Sequence, residues 1–597
     1  MRIPSENQNA LIDAAMDRIS CDLAICNTKY VNLFTGEIYP ATVYVHKGFV
    51  VFVDKDDASK PKHAPMETID AAGRYIVPGL IDSHIHIEST MLTPRNFAKA
   101  ALPCGVTSII HDPHEITNVY GERAVRYMHD AALDLPMRQF CDIPSCVPSV
   151  PGLETTGAVL EADAVHRLAQ LPNVIGLAEV MDFVGVTANS DRMCAMIAAA
   201  REEGLYIQGH VPVADPRTIA AYFIGGPTTC HESRSAEEAL VKLRAGMTVD
   251  ARESSISKNV EAIWSGLKEL PVRRRLSLCT DDRDPHDIIT IGHLDAVLRK
   301  AIAVGMDPVE ALTACTLHTA EAAHIENLGA VAPGYAADFL LVDDLTEFSV
   351  HSVYTRGQKV AEDRKLCTDI PDLSFDLEKE NSVNLPELTL STFELTVPEH
   401  LRGQKTVTVR CMTYSKPDSL YAICTEEELP IKDGCVDISG REDLCYVAIL
   451  NRFGKGNMAH GIIKNFGLQA GADASTISHD SHNLCIVYKD PQSALACARA
   501  LAACGGGIAA AKDGELFELL PLPVGGLMSR LPAEELSPLA GKMKEALREL
   551  GLQQENPLLR IASIALIVIP EVKFSDLGLV DVNRQCILPL FPQEEEQ

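Results

Sequence analysis

VPGLIDSHIHIEST, residues 77–90, decides how the rest of the chain is read. Apolar residues lead through Gly79 to Leu80 and Ile81, and His84 and His86 follow two apart. Alternate residues of a strand share a face, so the two imidazoles point the same way. At the C-terminal end of a strand, such a pair sits where a (β/α)8 barrel carries its chemistry. Alone the H-x-H spacing is a weak sign, because it arises often by chance.

Working outward, residues 78–330 alternate short apolar runs (TSIIHD, NVIGLAEV, LYIQGHV, LSLCTDD) with amphipathic stretches such as 191–203 and 295–305. Strands alternating with helices predict βαβ units and a parallel sheet. A segment of about 250 residues is the usual extent of a (β/α)8 barrel. Residues 21–77 read instead as short β segments, and a β pattern returns at 335–361. The expected architecture is an α/β (β/α)8 hydrolase barrel inserted into one small β domain. Residues 1–77 then hold an N-terminal extension and the first part of that domain, and 331–365 hold its second part. Residues 363–385 read as a polar linker. Residues 386–597 carry their own strands (KTVTVRCM, LCYVAIL, NLCIVY), a helical run at 491–503 and a turn at Gly505-Gly506-Gly507, and form a separate α/β domain. The tail from Phe591 reads as frayed.

Composition narrows the function. The 597 residues carry a net charge of −29, with 46% hydrophobic and 23% charged residues. A surface this acidic argues against nucleic acid, which needs clustered Lys and Arg. No apolar run is long enough to span a bilayer. The 18 cysteines include no C-x-x-C pair, and no secretory signal precedes them. A reduced cytoplasm is the expected compartment.

Beyond His84 and His86, ligand-type residues end later strand-like runs: Glu179 in IGLAEV, His210 in LYIQGHVP, His231 in TTCHES and Asp281 in LSLCTDD. Four imidazoles and two carboxylates without a soft sulfur suit a pair of divalent first-row metals. Such a pair lowers the pKa of water enough to make a nucleophile near neutral pH. Each residue also has an ordinary reading: Glu179 as a salt-bridge partner, His210 and His231 as core histidines, Asp281 or its neighbour Asp282 as a helix cap. It is their joint occurrence at strand ends that favours a metal site. Asp112, His114 and Glu115, in HDPHE at the end of TSII, fit either a substrate-binding loop at the rim or an Asp-Pro turn. SHDSHN, with His479, Asp480, His482 and Asn483, reads as a lid over the barrel mouth, a second metal site or a structural turn.

VPGLIDSHIH resembles the opening of the amidohydrolase superfamily. GLIDSHIHIEST, HDPHEITNVYG (111–121), CTDDR (279–283), GAVAPGYAADFLLVDDL (329–345), SHDSHN (478–483) and LPLPVGGLMS (520–529) resemble the adenine deaminases more narrowly. LNRFGKGNMAHG (450–461) departs from that family's pattern at Phe453 and around Met458 to His460. The resemblance implies His84, His86, His210 and His231 as metal ligands, Glu179 as the bridging carboxylate and Asp281 as the aspartate of the last barrel strand. It implies two divalent metal ions, with manganese or iron ahead of zinc. The implied reaction is adenine and water to hypoxanthine and ammonia, for purine salvage. Glu179 and Asp281 are its catalytic carboxylates, and Asp281 carries the proton from the attacking water to the leaving amine. Asp282 is expected only to cap the following helix. The expected partner is a small purine, with neither nucleic acid nor membrane, in a homo-oligomer of two or more chains. Another amidohydrolase reaction, on a modified adenine or a cyclic amide, would use the same metals. A degenerate metal-binding scaffold would have lost ligands, and here all six positions are filled. The zinc nucleobase deaminases, which pair H-x-E with P-C-x-x-C, are excluded by the missing C-x-x-C.

Overall fold

Eight short parallel strands in the middle of the chain curl into one barrel. They are Leu80–Ile85 (β1), Val106–His111 (β2), Arg138–Ile143 (β3), Val174–Val180 (β4), Tyr206–Gly209 (β5), Thr229–Cys230 (β6), Thr248–Arg252 (β7) and Leu276–Cys279 (β8). The first five pair in the order β5-β4-β3-β2-β1 and the last three in the order β6-β7-β8. Two seams join these arcs. The Thr228 amide donates to the Ile207 carbonyl at 3.0 Å, and the Asp281 amide donates to the His84 carbonyl at 3.0 Å. Ile85 and Asp281 form a parallel bridge at the second seam. The computed structural model describes residues 3–55, 62–416, 419 and 421–592. Residues 593–597 of the tail, read as frayed, lie outside them.

The strands are apolar because helices cover them from outside and side chains fill the barrel within. Gly79, just before β1, has a steric reason: a Cβ there would lie 2.2 Å from Thr107 Oγ1 on β2. Helix Asp191–Glu202 follows β4, its first turn closed by Ser190 accepting from the Met193 amide, and helix Leu294–Ala303 follows β8.

The chain enters and leaves the barrel through one antiparallel seam. Tyr75–Pro78 pairs with Phe339–Val342, and the strands on either side extend this into a nine-stranded sheet. Helix Ser5–Ala15 lies beside this sheet, with Leu11 and Ala14 in one cluster with Tyr44, Phe49 and Val51. The polar stretch 363–385 is held down along its length. Lys365–Leu366 adds a last strand, the Pro371 carbonyl accepts from Arg95 Nε at 2.7 Å, and Glu378 accepts from the Tyr127 hydroxyl at 2.9 Å.

A second nine-stranded sheet forms the C-terminal part, with helix Pro491–Cys504 against it. Helix Ala533–Glu549 buries Leu536, Ala540, Met543 and Leu547 along one face, despite Pro538 inside it. The turn carrying SHDSHN joins Ala472–Ser475 to Leu484–Tyr488, neighbouring antiparallel strands. Polar contacts dock this part onto the barrel loops. Asp576 accepts from the Thr155 amide at 2.9 Å, Asn483 Nδ2 donates to the Thr155 carbonyl at 2.8 Å, and buried Lys544 pairs with Asp284 at 2.7 Å.

Candidate metal centre

The six residues singled out by strand position meet at the C-terminal mouth of the barrel. Glu179, from the end of β4, lies between two sets of imidazoles. Its Oε1 is 3.4 Å from His86 Nε2, and its Oε2 is 2.5 Å from His210 Nδ1 and 3.1 Å from His231 Nε2. Asp281 Oδ1 stands 3.3 Å from His86 Nε2 and 3.7 Å from His84 Nε2. All six are buried, the most exposed being His210 at 4%. The His84 and His231 rings stack with centroids 4.0 Å apart.

The hydrogen bonds behind the imidazoles choose their tautomers. His84 Nδ1 lies 2.7 Å from Gln208 Oε1, and His86 Nδ1 lies 3.1 Å from the Asp112 carbonyl. Each contact holds a proton on Nδ1 and leaves Nε2 as a free lone pair, which is how metal-binding histidines are oriented. Gln208 is itself held, donating to the Ser83 carbonyl at 2.9 Å and to the Tyr206 hydroxyl at 2.6 Å; that hydroxyl donates to Asp142 at 2.7 Å.

Buried polar atoms without partners normally mean water or an ion. His84 Nε2 and His210 Nε2 have no hydrogen-bond partner, while Asp112 Oδ2 and His114 Nδ1 beside them lie 3.3 Å apart. Ligand atoms of His84, His231 and Asp281, of Glu179, His210 and His231, and of His86, Asp112, His114 and Glu179 fall within 4.8 Å of one another. Imidazoles and carboxylates at these separations fit a divalent metal ion.

Electrostatics follow the same division. Burial opposes ionisation of Glu179, yet His210 and His231 outweigh it and hold its carboxyl well below the usual range. Burial likewise opposes ionisation of Asp281, and the Arg252 guanidinium with His86 and His231 outweighs it. Burial, then His231 and His86, push the His84 imidazolium well down. Asp281 adopts a left-handed backbone, φ 54°, an uncommon conformation for a residue with a Cβ.

Asp282 is not a helix cap. Asp284 caps helix Pro285–Thr290, accepting from the His286 and Asp287 amides, because it directly precedes Pro285 at the first helical position. Asp282 turns toward the site and accepts from Ser89 Oγ at 2.7 Å. Burial, then the neighbouring Asp281 charge, raise its pKa.

The cavity over the cluster is lined by His86, His114, Glu179, His210, His231, Asp281 and Asp282 on the barrel side. His479, Asp480, Tyr421, Ser563 and Lys573 line it from the C-terminal part. His114 faces both sides, its Nε2 3.2 Å from Asp480 Oδ1 and its Nδ1 3.7 Å from Glu179 Oε1. Asp112 and Glu115, read as substrate-binding residues, do not line the cavity. Asp112 Oδ1 accepts from the His114 amide at 3.0 Å, and Glu115 points toward Ser89 and His482. His482 and Asn483 also lie behind the cavity wall.

Several neighbours escaped the sequence reading. Arg252, at the end of β7, pairs with Asp281 and lies 2.7 Å from Glu232 Oε1. Gln208 could have been found, since it precedes His210 by two on a strand and shares its face. Buried Lys573 donates to the Ser563 carbonyl at 2.8 Å, and burial, then Arg560, push its pKa down to about 7. Nothing local in its sequence signals a position in the cavity wall.

Residues 75–360 match the Amidohydrolase family, and residues 421–586 match the Adenine deaminase C-terminal domain. An adenine deaminase of Moorella thermoacetica is 38% identical over 583 residues, covering 97% of this chain and 97% of the relative. Adenine deaminase 3 of Rhizobium meliloti is 37% identical over 587 residues, covering 97% of this chain and 98% of the relative. With both halves matched and a common length, the chain belongs to the adenine deaminase family of the amidohydrolases.

Proposed function

We propose that the protein hydrolyses adenine to hypoxanthine and ammonia. The observation that carries this reading is the convergence of His84, His86, Glu179, His210, His231 and Asp281 under a cavity closed by a C-terminal domain of the adenine deaminase type. Those six residues would hold two divalent ions; their nitrogen and oxygen donors admit manganese, iron or zinc, and the family resemblance puts manganese or iron first. When bound, the ions lower the pKa of water so that it can attack a ring carbon at neutral pH.

The remaining chemistry belongs to the chain. Water adds at C6 of the purine, the C6–N bond breaks, and the exocyclic nitrogen must gain a proton to leave as ammonia. Asp281 is the carrier of that proton, poised beside His86 and kept ionised by Arg252. General acid–base transfer of this kind is worth roughly 10²–10⁴-fold. Asp112 fixes the backbone of His114, whose ring meets the substrate. His479 and Asp480 close the mouth, and His482 and Asn483 hold their turn from behind. The cytoplasm suits the protein, because all 18 cysteines are free thiols. A homo-oligomer of two or more chains is the assembly we expect.

The direct test is ammonia release from adenine after reconstitution of metal-free protein with manganese, iron or zinc, run beside 6-substituted purines and cyclic amides. Adenine should be turned over and the cyclic amides should not. Turnover of the cyclic amides alone would overturn the assignment.

A further inference from the structure

At the cavity wall lies a second group of ligand-type side chains that shares no residue with the six-residue cluster; His479 lines the cavity, and Glu115 and His482 lie behind it. Glu115 comes from the first turn of helix His114–Tyr120, which follows β2, and His479 and His482 come from the C-terminal turn 478–483. Glu115 and His482 are fully buried and His479 is 7% exposed. One donor atom from each lies within 4.8 Å of the others. Glu115 Oε2 and His482 Nε2 are 3.7 Å apart, too far for a hydrogen bond. That spacing suits neighbouring ligands of one ion, since bonds of about 2.1 Å set ligands roughly 3–3.5 Å apart.

Each of the three carries a free ligand-type atom. Glu115 Oε2, His479 Nε2 and His482 Nε2 have no hydrogen-bond partner. The opposite edges are occupied: Glu115 Oε1 accepts from Ser89 Oγ at 2.7 Å, and His482 Nδ1 lies 3.3 Å from the Ser478 amide nitrogen. The charge nearby calls for a cation. Ser89 Oγ is 2.7 Å from carboxylate oxygens of both Glu115 and Asp282, and one hydroxyl has one proton to give. Glu88 adds a third buried carboxyl, its Oε1 accepting from the Ile116 amide at 3.2 Å. Among the described residues no lysine or arginine forms an ion pair with any of the three. The occupant must also be small. A substrate in the cavity meets His479 but not Glu115 or His482, which lie outside its lining.

We propose that Glu115, His479 and His482 hold a third divalent transition-metal ion, at the seam between the barrel and the C-terminal domain. Two imidazoles with one carboxylate select a first-row transition metal over magnesium or calcium, which prefer all-oxygen shells. Its role is a clamp: it ties the turn bearing His479 and Asp480 to the barrel and so fixes the cavity's outer wall.

The test is anomalous diffraction from crystals of the full chain saturated with zinc or manganese, together with metal content by mass spectrometry. We expect an anomalous peak between Glu115, His479 and His482, separate from density at Glu179 and Asp281. His482→Ala and Glu115→Gln should each lose that peak, keep the Glu179 density and hold about one ion fewer per chain. Saturated crystals with anomalous density only at the Glu179 cluster would overturn the proposal, as would a His482→Ala protein that keeps the third peak. The wild-type map decides alone if a variant does not fold. Because the readout is the ion's position, an absence of adenine turnover would leave this result standing.

Discussion

In the proposed reaction Asp281 would both border the metal site and move a proton, and the residues around it separate these tasks. Four histidines and Glu179 would remain to hold metal without it. Asp281→Asn should therefore keep near-normal metal content while kcat falls roughly 10²–10⁴-fold and KM changes little. Elemental analysis beside steady-state kinetics checks this, and a metal-depleted variant would make Asp281 a ligand first. Asp282 serves as comparison. It lines the cavity and bonds Ser89 instead of capping a helix, so Asp282→Asn should act mainly on KM. A second residue-scale expectation concerns Gln208, which keeps the Nδ1 proton on His84. Gln208→Leu removes that acceptor and should weaken metal binding by roughly 10–100-fold, as loss of such an outer partner does elsewhere. Competition with a chelator of known affinity measures it, and unchanged affinity would show that His84 needs no such support.

At the scale of one element, strand Ala472–Ser475 carries an anomaly. Asp473 sits in the middle of the C-terminal sheet between Val487 and Ala510, fully buried, with both carboxyl oxygens unpartnered. Burial alone pushes its pKa up from 3.8 to about 8. The folded form thus keeps a proton that the unfolded chain releases near pH 4. Stability is favoured at acid pH and falls as pH rises through the window between these values, until the carboxyl ionises near 8. Each pH unit of that window is worth about 1.4 kcal/mol at most. Asp473→Asn, which cannot ionise, should come closest to the wild type near pH 4 and exceed it by several °C in Tm near pH 8.5. Parallel Tm curves for the two proteins across that range would show that the carboxylate is accommodated.

Across the whole molecule, the cavity is a product of two domains, and one buried cation holds the C-terminal turn that faces it. Arg452 donates to the carbonyls of His482 and Gly525 and to the Ser382 hydroxyl, with no carboxylate partner among the described residues. Burial pushes its pKa down to about 9. Arg452→Met would leave three acceptors unpaired, each costing about 1–3 kcal/mol. The turn that carries His479 and Asp480 would loosen with it. A lower Tm and a raised KM should appear together, by calorimetry and kinetics. A variant with reduced Tm but unchanged KM would mean that the turn keeps its place without the arginine.

The alternation of apolar runs with amphipathic stretches in residues 78–330 was enough for the barrel, because strand and helix periods are local properties. His84, His86, Glu179, His210, His231 and Asp281 were legible for the same reason: each ends a short apolar run, and a parallel barrel gathers its strand ends at one mouth. Helix Ala533–Glu549 was missed because Pro538 masks the spacing of Leu536, Ala540, Met543 and Leu547. The role of Asp282 was misread although the Asp284-Pro285 pair marks the cap locally; what the sequence could not show is Ser89, brought beside Asp282 by the pairing of the first and last barrel strands. Arg252 beside Asp281, Gln208 behind His84 and Lys573 in the cavity wall depend on which strands become neighbours. The meeting of Glu115 with His479 and His482 spans more than 360 positions of the chain. Sequence determined which groups lie at strand ends, since that needs only backbone periodicity. Tertiary structure decided which of them share a proton, a cavity wall or an ion, since only packing brings distant segments within bonding distance.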